Sequence, residues 1–219
     1  MLRKLFATGS LLTVTLMSSF AQQNNALEVV TPPTDTTAAV AEEPEKKPAL
    51  TISGSADTYF KYDFRKQGAN NRTSFTNANN GFGIGMASVK FEHAGDKVSA
   101  VADLGFGPRA MEFAYNDAGI FVAVKQLYVS YSPVAALKFT AGTWATHVGY
   151  ELVDPQLNRN YSMSYMFTNG PFTHTGVKAD ITVGKSGFMV GISNPTDLRL
   201  LPSGQIQKKF FIAQYSLAA

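Results

Sequence analysis

From Leu50 to Phe64 apolar and polar positions alternate without a break. Leu50, Ile52, Gly54, Ala56, Thr58, Phe60, Tyr62 and Phe64 are apolar or small. Thr51, Ser53, Ser55, Asp57, Tyr59, Lys61 and Asp63 are polar or charged. A period of two places the sets on opposite faces of a β-strand. The theme returns at 82–93, 97–106, 121–131, 137–148, 172–183, 188–194 and 208–216, so about eight strands are legible. In 97–106, Val98, Ala100, Ala102, Leu104 and Phe106 oppose Lys97, Ser99, Val101, Asp103 and Gly105. The segment 82–93 changes phase. Phe82, Ile84 and Met86 share one face while Val89 and Phe91 take the other, which predicts a β-bulge near Ala87. Gly81, Gly83 and Gly85 occupy alternate positions where another part of the chain can pack closely.

The connections carry a second pattern. Those at 94–96, 132–136 and 184–187 are short; those at 65–81, 107–120, 149–171 and 195–207 are long. Strict sorting of this kind predicts an all-β fold, an antiparallel up-and-down transmembrane β-barrel with tight turns on one side and longer loops on the other. Lipid then rewards the apolar face, and an interior accepts the charged one. Aromatic residues near strand ends, among them Phe60, Tyr62, Phe64, Phe106, Tyr131, Phe139 and Tyr150, suit interfacial girdles.

Composition agrees with that picture. Charged residues are 16% of the chain, below the roughly 25% of soluble domains, and aromatics are 12%. No cysteine is present, which excludes disulfides and thiolate sites. Residues 1–21 read as a secretory signal: Arg3 and Lys4, an apolar stretch from Leu5 to Met17, then Ser19 and Ala21 before the cut. Without that segment 17 basic residues face 16 acidic ones, and no basic stripe suggests nucleic acid. Residues 22–49, rich in Pro, Thr, Ala and Glu, read as a disordered linker. The barrel domain is 50–219.

Within 142–179 stand Gly149-Tyr150-Glu151, then Asn160-Tyr161-Ser162 with Tyr165 and Phe167, then Pro171-Phe172, His174 and Gly176-Val177. This stretch resembles the outer-membrane β-barrel porin family of Gram-negative bacteria. The resemblance covers about 40 residues in detail and 50–217 in style, and it implies a porin-like barrel without a catalytic centre. Thr143 and Trp144 depart from the basic residue and Phe that follow the glycine in that family. Its members are also longer and end on an aromatic residue, whereas here Leu217, Ala218 and Ala219 follow Tyr215. The expectation is therefore an N-terminal part of a larger barrel, unable to close alone.

Charge is costly on a lipid face, about 2–4 kcal/mol for Lys at the midplane. Asp57, Tyr59, Lys61, Asp63, Lys97, Asp103, Lys138, Lys178 and Asp180 are accordingly expected to face the lumen, joined by Lys90 and Glu92 if the bulge is real. The expected activity is passive diffusion of small hydrophilic solutes, with no enzyme chemistry and no cofactor. Expected partners are outer-membrane lipid, those solutes, the barrel-assembly machinery and a possible second copy of the chain. Three alternatives stay open: a small filled-interior barrel in adhesion or envelope structure, an outer-membrane hydrolase, and a secreted soluble barrel that binds a ligand. For the hydrolase, Ser162 or Ser164 with His174 is the best candidate set. His147 and His174, with Glu151 and Asp154, form a weak metal candidate without zinc-motif spacing.

Overall fold

The alternation of the first segment becomes strand β1, Ala49–Lys61. The computed structural model describes residues 49–64, 74–114, 116–201 and 208–218, within the compact unit Pro48–Ala219. The predicted signal, nearly all of the linker and residues 65–73 lie outside the described residues. Seven strands follow: β2 Gly81–Ala94, β3 Val98–Phe106, β4 Val124–Val134, β5 Leu137–Ala145, β6 Thr173–Val183, β7 Ser186–Ser193 and β8 Phe210–Leu217. Each pairs antiparallel with the next, giving one sheet ordered β1 to β8. Among the described residues β1 and β8 share no ladder, so the sheet is open. No described helix is long and apolar enough to cross a membrane.

The register explains the two faces. Leu50, His93, Ala100, Val129, Ala141, Val177, Ile192 and Phe211 stand side by side across all eight strands. A parallel row runs Val98, Tyr131, Phe139, Ala179, Val190 and Ala213. This open face leaves large side chains bare: Phe82 is 89% exposed and Phe211 86%. Contiguous apolar surface of that extent marks contact with something other than water. The opposite face carries the odd positions of β1 and β3, and Tyr59, Val101 and Asp103 on it are buried. It is the covered face.

Two bulges interrupt the period. Between Ala56–Ala87 and Thr58–Ile84 the register gains one residue on β2, so Gly85 and Met86 together oppose Asp57. The predicted bulge is real and sits one to two residues before Ala87. Asp57 Oδ1 accepts the Met86 N–H at 3.0 Å, taking up a donor that the interrupted ladder releases. Glycine is required beside it, because a Cβ on Gly85 would lie 1.7 Å from Asp57 Oδ2. Gly83 likewise gives room to the Tyr59 ring, whose Cζ a Cβ would approach to 2.6 Å. The second bulge was not foreseen. Between Asp103–Gln126 and Leu104–Val124 the extra residue is Lys125 on β4.

Short connections at 95–97, 135–136 and 184–185 alternate with long ones at 62–80, 107–123, 146–172 and 194–209, as the sequence predicts. Several boundaries move. Tyr62, Asp63 and Phe64 fall beyond β1, and Phe121, Val122 and Ala123 belong to a 3-10 turn, Gly119–Ala123. At its other end β4 runs on through Pro133, which has no N–H to donate and lies within the register shift between Tyr131 and Val134. The long connections also hold helices α1, Pro108–Phe113, and α2, Tyr165–Thr168, the latter capped by Ser164. Phe75, Ala110, Phe113, Val153, Met163, Phe167 and Phe172 from these connections pack with Met86 of β2. Their rings lie close, with Phe167 5.2 Å and Phe113 5.6 Å from Phe172. The long connections thus fold back onto the covered face as a packed plug.

Because the chain has no native cysteine, single cysteines report the faces cleanly. In reconstituted vesicles, Ile52→Cys, Leu127→Cys and Val190→Cys should resist a membrane-impermeant maleimide, while Ala136→Cys in a short turn should react. Strong labelling of the first three would reverse the assigned lipid face.

Candidate functional site: the covered face

The first strand supplies three anchors for the plug. Asp57 Oδ2 accepts the Tyr161 hydroxyl, and the Tyr59 hydroxyl accepts the Ala78 N–H at 3.0 Å. Lys61 Nζ donates to the Thr76 carbonyl at 3.1 Å. Arg109 of α1 is fully buried beneath them. Its guanidinium lies 4.8 Å over the Tyr161 ring and 5.7 Å from that of Phe75, and Nη2 donates to the Tyr161 carbonyl at 3.1 Å. A cation held between two aromatic faces and a carbonyl fixes the connection 146–172 against α1.

The second bulge creates a buried ion cluster. Lys125 Nζ lies 2.6 Å from Asp154 Oδ1 and 3.1 Å from Asp103 Oδ1, and donates to Ser88 Oγ at 3.3 Å. The Lys125 and Asp103 side chains are 3% and 5% exposed. Two carboxylates from a strand and a loop therefore share one ammonium. Gln126 Nε2 reaches Asp103 Oδ2 at 3.4 Å, and its Oε1 accepts the Ala145 N–H at 3.1 Å. A further ion pair, Arg199 with Asp117, ties the connection after β7 to the one after α1.

The remaining expected residues lie elsewhere. Lys178 Nζ is 3.3 Å from Asp180 Oδ2, and Lys138 stands opposite Asp180 in the ladder. Lys90 and Glu92, on the Asp103 face, pair at 2.8 Å. Two expectations need correction. Asp63 lies past the end of β1, and exposed Lys97 lies in the turn before β3, because the ladder begins at Val98. Neither stands on a strand.

Lys125 escaped sequence reasoning for a clear reason. Extending the alternation back from Tyr131, Val129 and Leu127 assigns it to the lipid face, and only the extra residue turns it inward. Its lone charge in an apolar strand was the available signal. In sequence Asp154 stands out only as a candidate metal ligand with His147, His174 and Glu151. The two histidine rings do meet, 5.1 Å apart, but Asp154 is held by Lys125, and Glu151 accepts the Ser164 N–H at 2.9 Å and the Ser164 hydroxyl. Among the described residues no group of three or more His, Cys, Asp or Glu could hold a metal. Ser164 Oγ accepts the Phe167 N–H at 3.1 Å, and His174 Nε2 lies 3.1 Å from Thr146 Oγ1.

The described residues form a strand meander with an apolar outer face and charges on the covered face that hold the connections. A family model described as "Putative beta-barrel porin-2, OmpL-like" matches residues 49–217, the whole sheet from β1 to β8. The chain belongs to this β-barrel porin family. No curated protein matches it. In this porin-family barrel the family span begins and ends at the first and last strands, so the plug connections fall within it.

Two outcomes follow from the anchors. Lys125→Met leaves the buried Asp103 and the half-buried Asp154 without their cation, a loss of about 3–5 kcal/mol. The temperature at which the folded, heat-modifiable gel band disappears should drop accordingly, and adding Asp103→Asn with Asp154→Asn should recover part of it. An unchanged transition would mean that the cluster does not hold the plug. Tyr161 gives a pH signature. Burial, and next its bond to the Asp57 carboxylate, push the phenol above its ordinary value. Below about pH 10 both folded and unfolded chains keep the proton, so the contribution is fully present. It is lost as pH rises through the folded value, because the unfolded chain releases the proton first. Tyr161→Phe should therefore flatten the fall in stability above about pH 10, measured by alkaline unfolding of the two proteins side by side.

Proposed function

We propose that this porin-family barrel resides in the outer membrane and lets small hydrophilic solutes diffuse passively across it. The observation that carries this reading is the division of one sheet into two chemistries. One face presents rows of Val, Ala, Leu, Ile and Phe to the exterior, and the other gathers Asp57, Tyr59, Lys61, Asp103, Lys178 and Asp180. Such an exterior suits hydrocarbon, and such an interior suits water and ions. In this reading charged side chains on the interior set selectivity by attracting one sign of solute and repelling the other. Residues 1–21 direct export, the assembly machinery inserts the strands, and closure is completed in the membrane, alone or with another copy of the chain.

The packed plug favours a second reading, a barrel with a filled interior and an envelope-structural or adhesive role. Eight strands enclose a space that side chains fill, whereas 16 or more leave a channel. Reconstitution in planar bilayers separates the two. The porin reading expects stepwise ohmic conductance from protein with heat-modifiable mobility, and swelling of loaded vesicles in small sugars. Protein that inserts and resists protease but carries no current would replace it with the filled barrel.

A further inference from the structure

We propose that Trp144, His147, His174 and Lys178 form a subsite for the oxyanion group of a solute: a sulfate, a phosphate ester or a carboxylate. The inference rests on the porin reading for its biological context and deepens it by naming a solute class. Trp144 of β5 and His174 of β6 are directly opposed in the ladder and share the covered face with Lys178. Their rings lie 6.5 Å apart, and His147 brings its ring to 5.1 Å from His174. Lys178 reaches back along β6 until its Nζ stands 5.6 Å over the Trp144 ring. Four side chains from two strands and the start of one long connection thus meet at one place.

Three of their ring nitrogens lack partners. Trp144 Nε1, His147 Nδ1 and His174 Nδ1 are buried and make no hydrogen bond, and Trp144 and His174 are each 5% exposed. Buried polar atoms are almost always satisfied, so three neighbouring exceptions call for an occupant. The chemistry of that occupant follows from what is offered. Indole nitrogen and ammonium only donate. Thr146 Oγ1 accepts the Val148 N–H at 3.1 Å, which leaves its hydroxyl hydrogen free to point at His174 Nε2. With Thr146 donating to Nε2, the ring carries its proton on Nδ1, a further donor. The carboxylate beside Lys178, Asp180, stands opposite a second lysine, Lys138, in the ladder. Positive charge is therefore in excess. Donors, an ammonium that Asp180 meets from one side only and an aromatic wall suit an oxyanion, and the ammonium disfavours a metal ion between the histidines.

The test uses Trp144 itself, the single tryptophan of the chain. The full chain, folded in maltoside micelles and checked by heat-modifiable mobility, is titrated with sodium sulfate at constant ionic strength against sodium chloride. A saturable change in tryptophan emission with sulfate alone is expected. It should require at least about tenfold more sulfate in Lys178→Met and in His147→Gln. The second substitution lies in a connection, so it reports even if the first fails to fold. An absent or unsaturable response, or equal midpoints in wild type and folded variants, would overturn the subsite. A response given by vesicles of anionic lipid but not by free sulfate would overturn it in favour of a headgroup contact. Conductance is scored separately: sulfate binding without current refutes the porin reading and spares the subsite, while current without sulfate binding does the reverse.

Discussion

Hydrocarbon offers no hydrogen bond to a peptide group, and each backbone N–H or C=O left unpaired there costs several kcal/mol. The sheet is organised around that constraint. At one end successive strands are joined by turns of two or three residues, so each strand passes directly into the next ladder. Only β1 and β8 have an unpaired side among the described residues. Once the ladder is obligatory, side chains must divide by parity, and parity assigns the chemistry. A residue can leave its assigned face only where the ladder itself is broken.

That logic accounts for what the sequence made legible. Eight strands, their antiparallel order, the sorting of connections and the first bulge follow from a period of two, which needs no knowledge of tertiary contacts. Asp57, Tyr59, Lys61 and Asp103 were placed on the covered face because their neighbours at alternate positions are apolar. The failures share a cause as well. Lys97 and Asp63 continue the alternation numerically, yet β1 ends at Lys61 and the paired register of β3 begins at Val98, so parity no longer fixes their direction. Phe121 to Ala123 are apolar enough for a strand and instead form a 3-10 turn, a choice between local and ladder bonds that periodicity cannot make.

The plug was illegible for another reason. Phe75, Phe113, Val153, Met163 and Phe167 sit in segments without sustained period, and they become a core only when three connections meet above Met86. Nothing in a single segment announces that meeting. Arg109 illustrates it: in sequence it is one residue after Gly107-Pro108, and in the fold it is an enclosed cation between Phe75 and Tyr161. Its partners come from residues 34 positions before it and 52 after it.

The two bulges join these levels. A regular wall offers the interior every second residue, and Asp57, Tyr59 and Lys61 of β1 reach the connections from such positions. Each bulge places two consecutive residues on one face: Gly85 with Met86, and Lys125 with Gln126. The first gives Asp57 a backbone N–H to hold and gives the loop core its one strand-borne member. The second delivers an ammonium to a carboxylate on its own wall and another on the loop. The irregularities in the ladder therefore add fastenings between wall and plug to those made by Tyr59 and Lys61. A buried ion cluster is a poor source of stability compared with apolar packing of equal volume. Its role here is positional: it ties Asp154 of the connection 146–172 to Ser88 of β2, and through Lys125 of β4 to Asp103 of β3.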